Sequence, residues 1–418
     1  MIYRRNVVYF LILLSIIGGF RRAFFFHIAY VFAALLLLSL LFSWLSVNWV
    51  RIGRRTYVKR LQVGDHFDEI FMVRNTSIVP KLWIEIQDHS TLPHHHSSHV
   101  VPTLRGRQNY RWRVQTPCTR RGQFTLGPVT LSSGDPFGFF QSARHINATH
   151  QVMVFPPTVP IYEFATPLGA LSGGHAVRRR TYEVTPNAAG IREYAPGDSL
   201  NRIHWKSSAR RGKLMAKEFE LDPLGDVWIF LDLSRHSLVA EHSYWGGADY
   251  VLSPSLRLPP STEEYGIVAA ASLAQHFLDQ NRTVGFLTYS PHRDYIAPDR
   301  GDRQFIDILE TLALARSETE VTLQQMLALE GHNLMRGTTL IVVSASLQTN
   351  WVAEAYAQTQ RGLTVIAVVI DPSSFGLMGV DFELVQRQIE SAGVLVYPVR
   401  REDDLTAALS YRPGPMAR

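Results

Sequence analysis

VWIFLDLS (Val227–Ser234) sets five apolar residues side by side, then an aspartate, Asp232, and closes on a serine. A strand with no polar alternation is buried on both faces, as in a parallel sheet covered by helices. Comparable runs recur at Thr283–Tyr289, Thr338–Ser344, Leu363–Ile370 and Gly393–Val399. Between the first two, Glu263–Asn281 has helical apolar spacing, and Glu263 and Glu264 suit the positive end of a helix. This alternation predicts a doubly wound α/β domain over residues 222–418. Open α/β sheets bind ligands beyond the carboxyl ends of their strands, where Asp232 and Ser234 would stand.

Just upstream, Arg192–Glu220 reads REYAPGDSLNRIHWKSSARRGKLMAKEFE. Pro186–Gly190 is expected to break a basic strand that begins at Arg178, and Pro196-Gly197 to make a second turn. Asp198 suits the N-cap of a helix from Ser199, with Leu200, Ile203 and Ser207 on one face and Gly212 as C-cap. Leu214–Glu220 alternates as a strand. Residues 178–220 carry ten Lys/Arg against five Asp/Glu. Arg192, Glu193, Asp198 and Arg210 are expected to pair in an ion network that fixes the segment, and together with His204, Trp205, Lys217 and Glu218 they form the expected interaction surface. His204 and Asp198 lie six positions apart, about 240° around a helix, so they are not expected to act as an acid–base pair.

Two uncharged apolar runs, Asn6–Phe20 and Ala23–Val47, flank Arg21-Arg22. The second matches the roughly 20 residues needed to span a bilayer, and the first is short. Residues 1–55 are therefore expected to form a transmembrane hairpin in the cell membrane, with Trp44 and Trp49 at the interface. The basic flank Arg51, Arg54, Arg55, Lys59 and Arg60 places the soluble domains in the cytoplasm. A cleaved signal peptide is the competing reading, but Gly18-Gly19-Phe20-Arg21 is a poor cleavage site. Residues 56–165 alternate with period two, as in Phe67–Asn75, Lys81–Asp88 and Asn109–Thr116, and predict an antiparallel β-sandwich. Leu82, Ile84 and Ile86 are expected on its inner face. The histidines His89, His94, His95, His96 and His99 lack the cysteine or carboxylate pair of a tetrahedral metal set.

The signature at Arg192–Glu220, assigned to residues 166–221, resembles that of domain of unknown function family 58, whose usual form is close to REYxPGDxxRxIxWxxxAR. Arg120–Phe140 resembles the matching region of the same family, including Asp135-Pro136-Phe137-Gly138, whose aromatics are expected to pack onto the following domain. Val227–Ser234 followed by Val268–Ser290 resembles a von Willebrand factor A-type domain. That likeness implies a D-x-S-x-S loop holding Mg²⁺, completed by a Thr and an Asp from later loops. Asp232 and Ser234 match, His236 replaces the second Ser with Ser237 one step late, and Thr319 or Thr322 stands for the Thr. Asp232, Ser234 and Thr322 form the expected set. The later Asp is missing, because Leu340–Leu347 offers only Ser344 and Ser346. Family members also resemble components that pair with a MoxR-type AAA+ ATPase. The likeness thus implies a non-enzymatic membrane scaffold or adaptor recruiting such an ATPase for protein assembly or maturation.

Cys118 is the lone cysteine, which excludes an internal disulfide. Neither G-x-x-x-x-G-K-[ST] nor G-x-S-x-G occurs, so nucleotide-loop and elbow-serine chemistries are not expected. Two alternatives stay open: a phosphate-ester hydrolase using Asp232 with a metal, and nucleic-acid binding through Arg178–Lys217. No nucleic-acid partner is expected, because much of the net charge of +6 sits at the membrane flank. Glu241–Ser261, rich in Tyr and Trp, is expected to form a partner-binding flap.

Overall fold

The structure, a computed structural model, describes residues 9–10, 12–13, 16, 23–56, 60–164, 188–194, 203–219, 225–240, 259–377, 381–401 and 403–410. It divides into two compact units, one essentially Met1–Pro157 and the other essentially Thr158–Arg418.

The first unit opens with helix α1 (Ala23–Val47), of which the 22 residues Phe26–Val47 are long and apolar enough to cross a membrane. Its burial is inverted relative to a soluble core helix. Ser39, Ser43 and Ser46 are buried, while Leu37, Leu38, Leu40 and Leu41 are exposed. The serines face the β-domain: Ser39 Oγ donates to Asp135, and Ser43 and Ser142 hydroxyls lie 2.8 Å apart.

Among the described residues that domain has ten strands: β1 (Val50–Thr56), β2 (Arg60–Gln62), β3 (His66–Asn75), β4 (Lys81–Asp88), β5 (His99–Leu104), β6 (Asn109–Pro117), β7 (Gly122–Leu126), β8 (Val129–Gly134), β9 (Gln141–Ile146) and β10 (His150–Phe155). Sheets β1-β3-β6 and β5-β4-β8-β9 share a core that includes Val50, Val73, Ile84, Val101 and Leu131. A third sheet, β2-β10-β7, contains a parallel pair, β2 with β10, so the sandwich is not wholly antiparallel.

One local expectation fails in an instructive way. In β4, Trp83 takes a left-handed φ of 50°, which interrupts the alternation. Leu82 turns outward, and Lys81 is buried, its ammonium donating to Leu45 O at the end of α1 and lying 5.7 Å from the Trp49 ring. The Asp135–Gly138 turn is bound within its own unit: Asp135 accepts from Ser39, Phe137 N (2.9 Å) and Phe140 N (2.6 Å), and Phe139 packs on Phe10 at 5.5 Å.

The histidines disperse. His89 bonds Thr130, and His99 stacks on Tyr110 and Trp112. His95 enters the interior, its side chain fully buried, 3.2 Å from Asp88 and 3.5 Å from Glu69. Arg54, counted in the basic flank of the second apolar run, is buried there too, 2.7 Å from Glu69 and 2.5 Å from Asp88. Arg54 Nη1 and Asp88 Oδ1 remain without hydrogen-bond partners. Burial works against charging His95, but the two carboxylates outweigh it and raise its pKa. Burial likewise opposes the Asp88 charge, yet bonds from His95, Ser97 and Ser90 and the Arg54 guanidinium hold its carboxyl far below the ordinary range.

In the second unit β11 (Ala188–Glu193) pairs antiparallel with β12 (Met215–Phe219) around helix α2 (Trp205–Arg211). Ala188–Gly190, expected to break a strand, belong to one, and Ile203, expected in the helix, forms a β-bridge with Ala216. The remainder is β13 (Val227–Leu231), α3 (Thr262–Asp279), β14 (Val284–Ser290), β15 (His292–Asp299), α4 (Asp302–Leu314), α5 (Leu323–Glu330), β16 (Thr339–Ser344), α6 (Asn350–Gln360), β17 (Thr364–Ile370), α7 (Phe382–Ser391), β18 (Leu395–Val399) and α8 (Leu405–Ser410). The sheet order is β15-β14-β13-β16-β17-β18, parallel except for the edge strand β15. Trp228 and Phe230 pack with residues of α5, α6 and α7, whereas a Cβ on Gly266 of α3 would touch Leu231 and Val343. Both faces are therefore covered, which is why β13 is buried throughout.

Candidate functional site

From β13 the chain passes through α3 to β14 on one side of the sheet, then returns to β16 on the other. The switch point lies between the carboxyl ends of β13 and β16, where open α/β sheets form their binding crevice. Asp232 follows β13 and Ser344 ends β16, so the register brings them together. Asp232 N donates to Val343 O (2.9 Å), and Ser344 Oγ donates to Asp232 Oδ2 (2.6 Å).

Asp232 Oδ1 accepts from Ser234 N at 2.9 Å. The Ser234 hydroxyl lies 3.1 Å from that of Ser237, which itself donates to Ser234 O. Thr262, at the start of α3, donates to Ser237 O at 3.1 Å. Asp232, Ser237, Thr262 and Ser344, with Glu263 and Ser317, border a cavity of about 10 Å³, the volume of one water-sized sphere. Glu263 accepts from Ser317 N (2.8 Å) and lies 3.6 Å from Arg316. Burial raises the Asp232 pKa, against the opposing pull of the Ser344 and Ser234 bonds.

Asp232, Ser234 and Ser237 thus lie together, whereas the sequence set was Asp232, Ser234 and Thr322. Thr322 does not join them. Its hydroxyl accepts from Gln325 N at 3.4 Å in a capping box that starts α5. Thr319 stands there instead: it bridges Ser234, and its carbonyl accepts from Arg235 N at 3.0 Å. Ser344 takes the place where the likeness led one to expect an aspartate. It was findable, because the last residue of the strand beyond the switch point must face Asp232.

A carboxylate among hydroxyls is a hard-oxygen donor set, the kind Mg²⁺ takes. Among the described residues the cavity lining holds no lysine or arginine, so a small cation would complement Asp232. No group of three or more His, Cys, Asp or Glu suited to a metal occurs among the described residues. The cavity leaves no room for an ion that keeps several waters, so a cation there would have to be held by protein oxygens directly.

The second expected site is the signature segment. His204 precedes α2 as its N-cap, with Nδ1 accepting from Ser207 N at 3.1 Å, and Gly212 ends the helix at φ 65° as expected. α2 buries none of its residues; Trp205 is 68% exposed and Arg210 and Arg211 lie in its last turn. Glu193 pairs with Lys213 at 3.2 Å on the surface. Arg192 is in β11, and Lys217 and Glu218 are in β12. Asp198 and most of the expected flap lie outside the described residues; the flap's ends meet in a bridge between Ala240 and Ser261.

Residues 190–380 match the family described as protein of unknown function DUF58. The chain is 21% identical over 318 residues to the uncharacterized protein YeaD of Bacillus subtilis (strain 168), covering 72% of this chain and 70% of that one. Among solved structures, the PilB minor pilin of Streptococcus sanguinis is 10% identical with a TM-score of 0.27, covering 78% of this chain and 84% of that one. The CARDB domain of the PF1109 protein from Pyrococcus furiosus is 13% identical with a TM-score of 0.20, covering 25% of this chain and 86% of that one. At such scores the two structures carry no argument about this chain. The sequence comparisons extend the resemblance to a family of unknown function across the signature segment and most of the α/β sheet.

Proposed function

We propose that this chain is a non-enzymatic, membrane-anchored adaptor that docks a partner through its signature helix. By its family likeness the partner is a MoxR-type AAA+ ATPase engaged in protein assembly or maturation. The carrying observation is α2: a helix with no buried residue adds nothing to a core, yet it holds out Trp205 among basic side chains. Exposed tryptophan and arginine are the residue types that dominate binding energy at interfaces.

The inverted burial of α1, leucines outward and serines inward, supports the anchor. Contacts of Phe10 with Phe32 (5.1 Å) and Phe139 (5.5 Å) support a first run lying beside α1 as a hairpin. With Arg54 withdrawn into an ion network, the exposed Arg51 and Arg55 carry the orientation argument for a cytoplasmic β-domain and α/β domain. The α/β domain, on this reading of von Willebrand factor A type, would hold Mg²⁺ through Asp232, Ser234 and Ser237. There the ion would supply a positive point for a partner's carboxylate.

Co-purification of the detergent-solubilised full chain with the MoxR-type ATPase, in Mg²⁺ and ATP, tests the adaptor reading. Trp205→Ala and Arg210→Glu are expected to lower capture at least tenfold, because interface tryptophans and arginines are worth about 2 kcal/mol or more. Their thermal unfolding should stay as in the parent. Undiminished capture by both variants would discard α2 as the docking element.

A further inference from the structure

We infer that one end of the β-domain is itself a membrane-surface element, set into the lipid headgroup layer beside α1. This rests on the reading of α1 as a membrane span.

Two apolar projections flank the end of that helix. On one side, Phe42 of α1 shares a groove of about 320 Å³ with Leu82, Trp83, Val100 and Pro136. Trp83 is 70% exposed there, held outward by its left-handed backbone, and Phe137, next to Pro136, is 59% exposed. Glu85 also lines the groove but accepts from Ser132 (3.0 Å) and Gln87 (2.8 Å). On the other side, Thr76 donates through its amide and hydroxyl to Trp49 O (2.8 and 2.7 Å), tying the loop that carries Ile78 to the helix end. Ile78 is 77% exposed.

That loop is clamped to a basic one. Arg107 N donates to Ser77 O at 3.0 Å, and Asn75 Nδ2 to Arg105 O at 3.2 Å. The approach is close enough that a Cβ at Gly106 would clash with the Ile78 carbonyl. Exposed Arg105 and Arg107 thus accompany an exposed isoleucine.

Aromatic and aliphatic side chains held next to arginines match the headgroup layer, where amphipathic rings settle and anionic phosphates accept from guanidinium. The occupant is a bilayer because the projections continue the lipid-facing surface of α1. Trp44 and Trp49, packed edge to face at 5.5 Å, mark the level at which the helix leaves the hydrocarbon.

The test uses the full chain in nanodiscs, with a fluorophore on one introduced cysteine at a time. Cys118 is buried and its thiol is pushed up to about 11, by burial first and by the Asp65 charge, so it stays unlabelled. Labels go at Leu37, at Trp83, at Phe137 as a second probe should Trp83→Cys disturb β4, and at the exposed Gln151 of β10. Lipids carry a nitroxide either mid-chain or at the headgroup. Mid-chain nitroxide should quench the Leu37 label; if it does not, the spanning reading itself fails. Headgroup nitroxide should quench the Trp83 and Phe137 labels at least threefold more than Gln151. Equal quenching at Trp83, Phe137 and Gln151, with Leu37 quenched, would overturn this inference alone. Shielding of Trp83 from aqueous iodide without lipid quenching would assign the surface to a second protein and overturn it equally. Arg105→Glu with Arg107→Glu should halve, or more, the extra quenching produced by anionic lipid. No change would remove the arginines from the contact.

Discussion

Asp232 keeps a buried carboxyl among hydroxyls where an asparagine of the same shape would fold without a charge to desolvate. Groups retained against that cost cluster at functional sites. Because its folded pKa is raised, its stabilising effect is complete below the ordinary value of 3.8 and is lost as pH rises through the folded value. Thermal melts of the α/β unit should therefore fall as pH climbs from about 4 toward neutrality, and Asp232→Asn should flatten that slope. Millimolar Mg²⁺ should offset the loss in the parent and not in Asp232→Asn, since an ion binding only the folded state stabilises it by mass action. In the β-domain the sign is the same but the window differs. His95 has its pKa raised above the ordinary 6.5, so its stabilisation is full below that and lost as pH rises through the folded value. The opening free energy from hydrogen exchange in β3 and β6, after division by the intrinsic exchange rate at each pH, should fall as pH rises above the ordinary 6.5, and His95→Gln should remove that fall. Arg54→Ala, which leaves Glu69 and Asp88 buried without their guanidinium, should cost the unit about 3–5 kcal/mol.

The helix α2 is held by its ends and by Ser208, whose Oγ accepts from Met215 N at 2.9 Å. His204 caps it through Nδ1, and Gly212 closes it in the left-handed region. His204→Ala and Gly212→Ala should each cost about 1 kcal/mol, raising exchange of the Trp205–Arg211 amides roughly fivefold with β13–β17 unaffected. Elements of this kind expose how legible the sequence was. The five parallel strands were readable to within about two residues, because a doubly covered strand leaves no polar position to mislead. Gly212 was readable for an equally local reason. The N-terminal limit of α2 was not: Asp198 is the better cap by residue type, but Ile203 is drawn into a bridge with Ala216, so the described helix starts after His204. In β4 the alternation was read correctly as far as Ile84 and Ile86, yet a single left-handed residue, Trp83, reversed the assignment of Leu82 and Lys81. The edge strand β15 escaped because its alternating, half-exposed pattern carries none of the apolar signal of its neighbours. At the site, Asp232 and Ser234 were visible as a motif, whereas Glu69, Asp88 and His95 come together only through the pairing of distant strands.

At the level of the whole chain, the first unit is organised around a helix that turns its polar stripe inward. Ser39 and Ser43 meet Asp135 and Ser142, and Lys81 reaches the last carbonyls of α1, where the negative helix end favours its charge. Desolvation lowers the Lys81 pKa, so the helix carbonyl is what compensates a buried ammonium. Removing residues 1–47 should strip that compensation away and uncover Ser142 and Asp135 together. A fragment comprising residues 48–418 is therefore expected to show faster amide exchange confined to β4, β8 and β9, the strands against α1. Exchange in β13, β16 and β17, whose cores are built by α3, α5, α6 and α7, should stay as in the full chain. Lys81→Met in the full chain separates the two contributions, because it removes the charge without removing the cover. It should leave β8 and β9 protected while freeing the end of α1. Uniform acceleration across all strands of the fragment would instead mean that α1 supports the β-domain as a whole, and that its serine stripe is a fold element rather than a joint between anchor and sandwich.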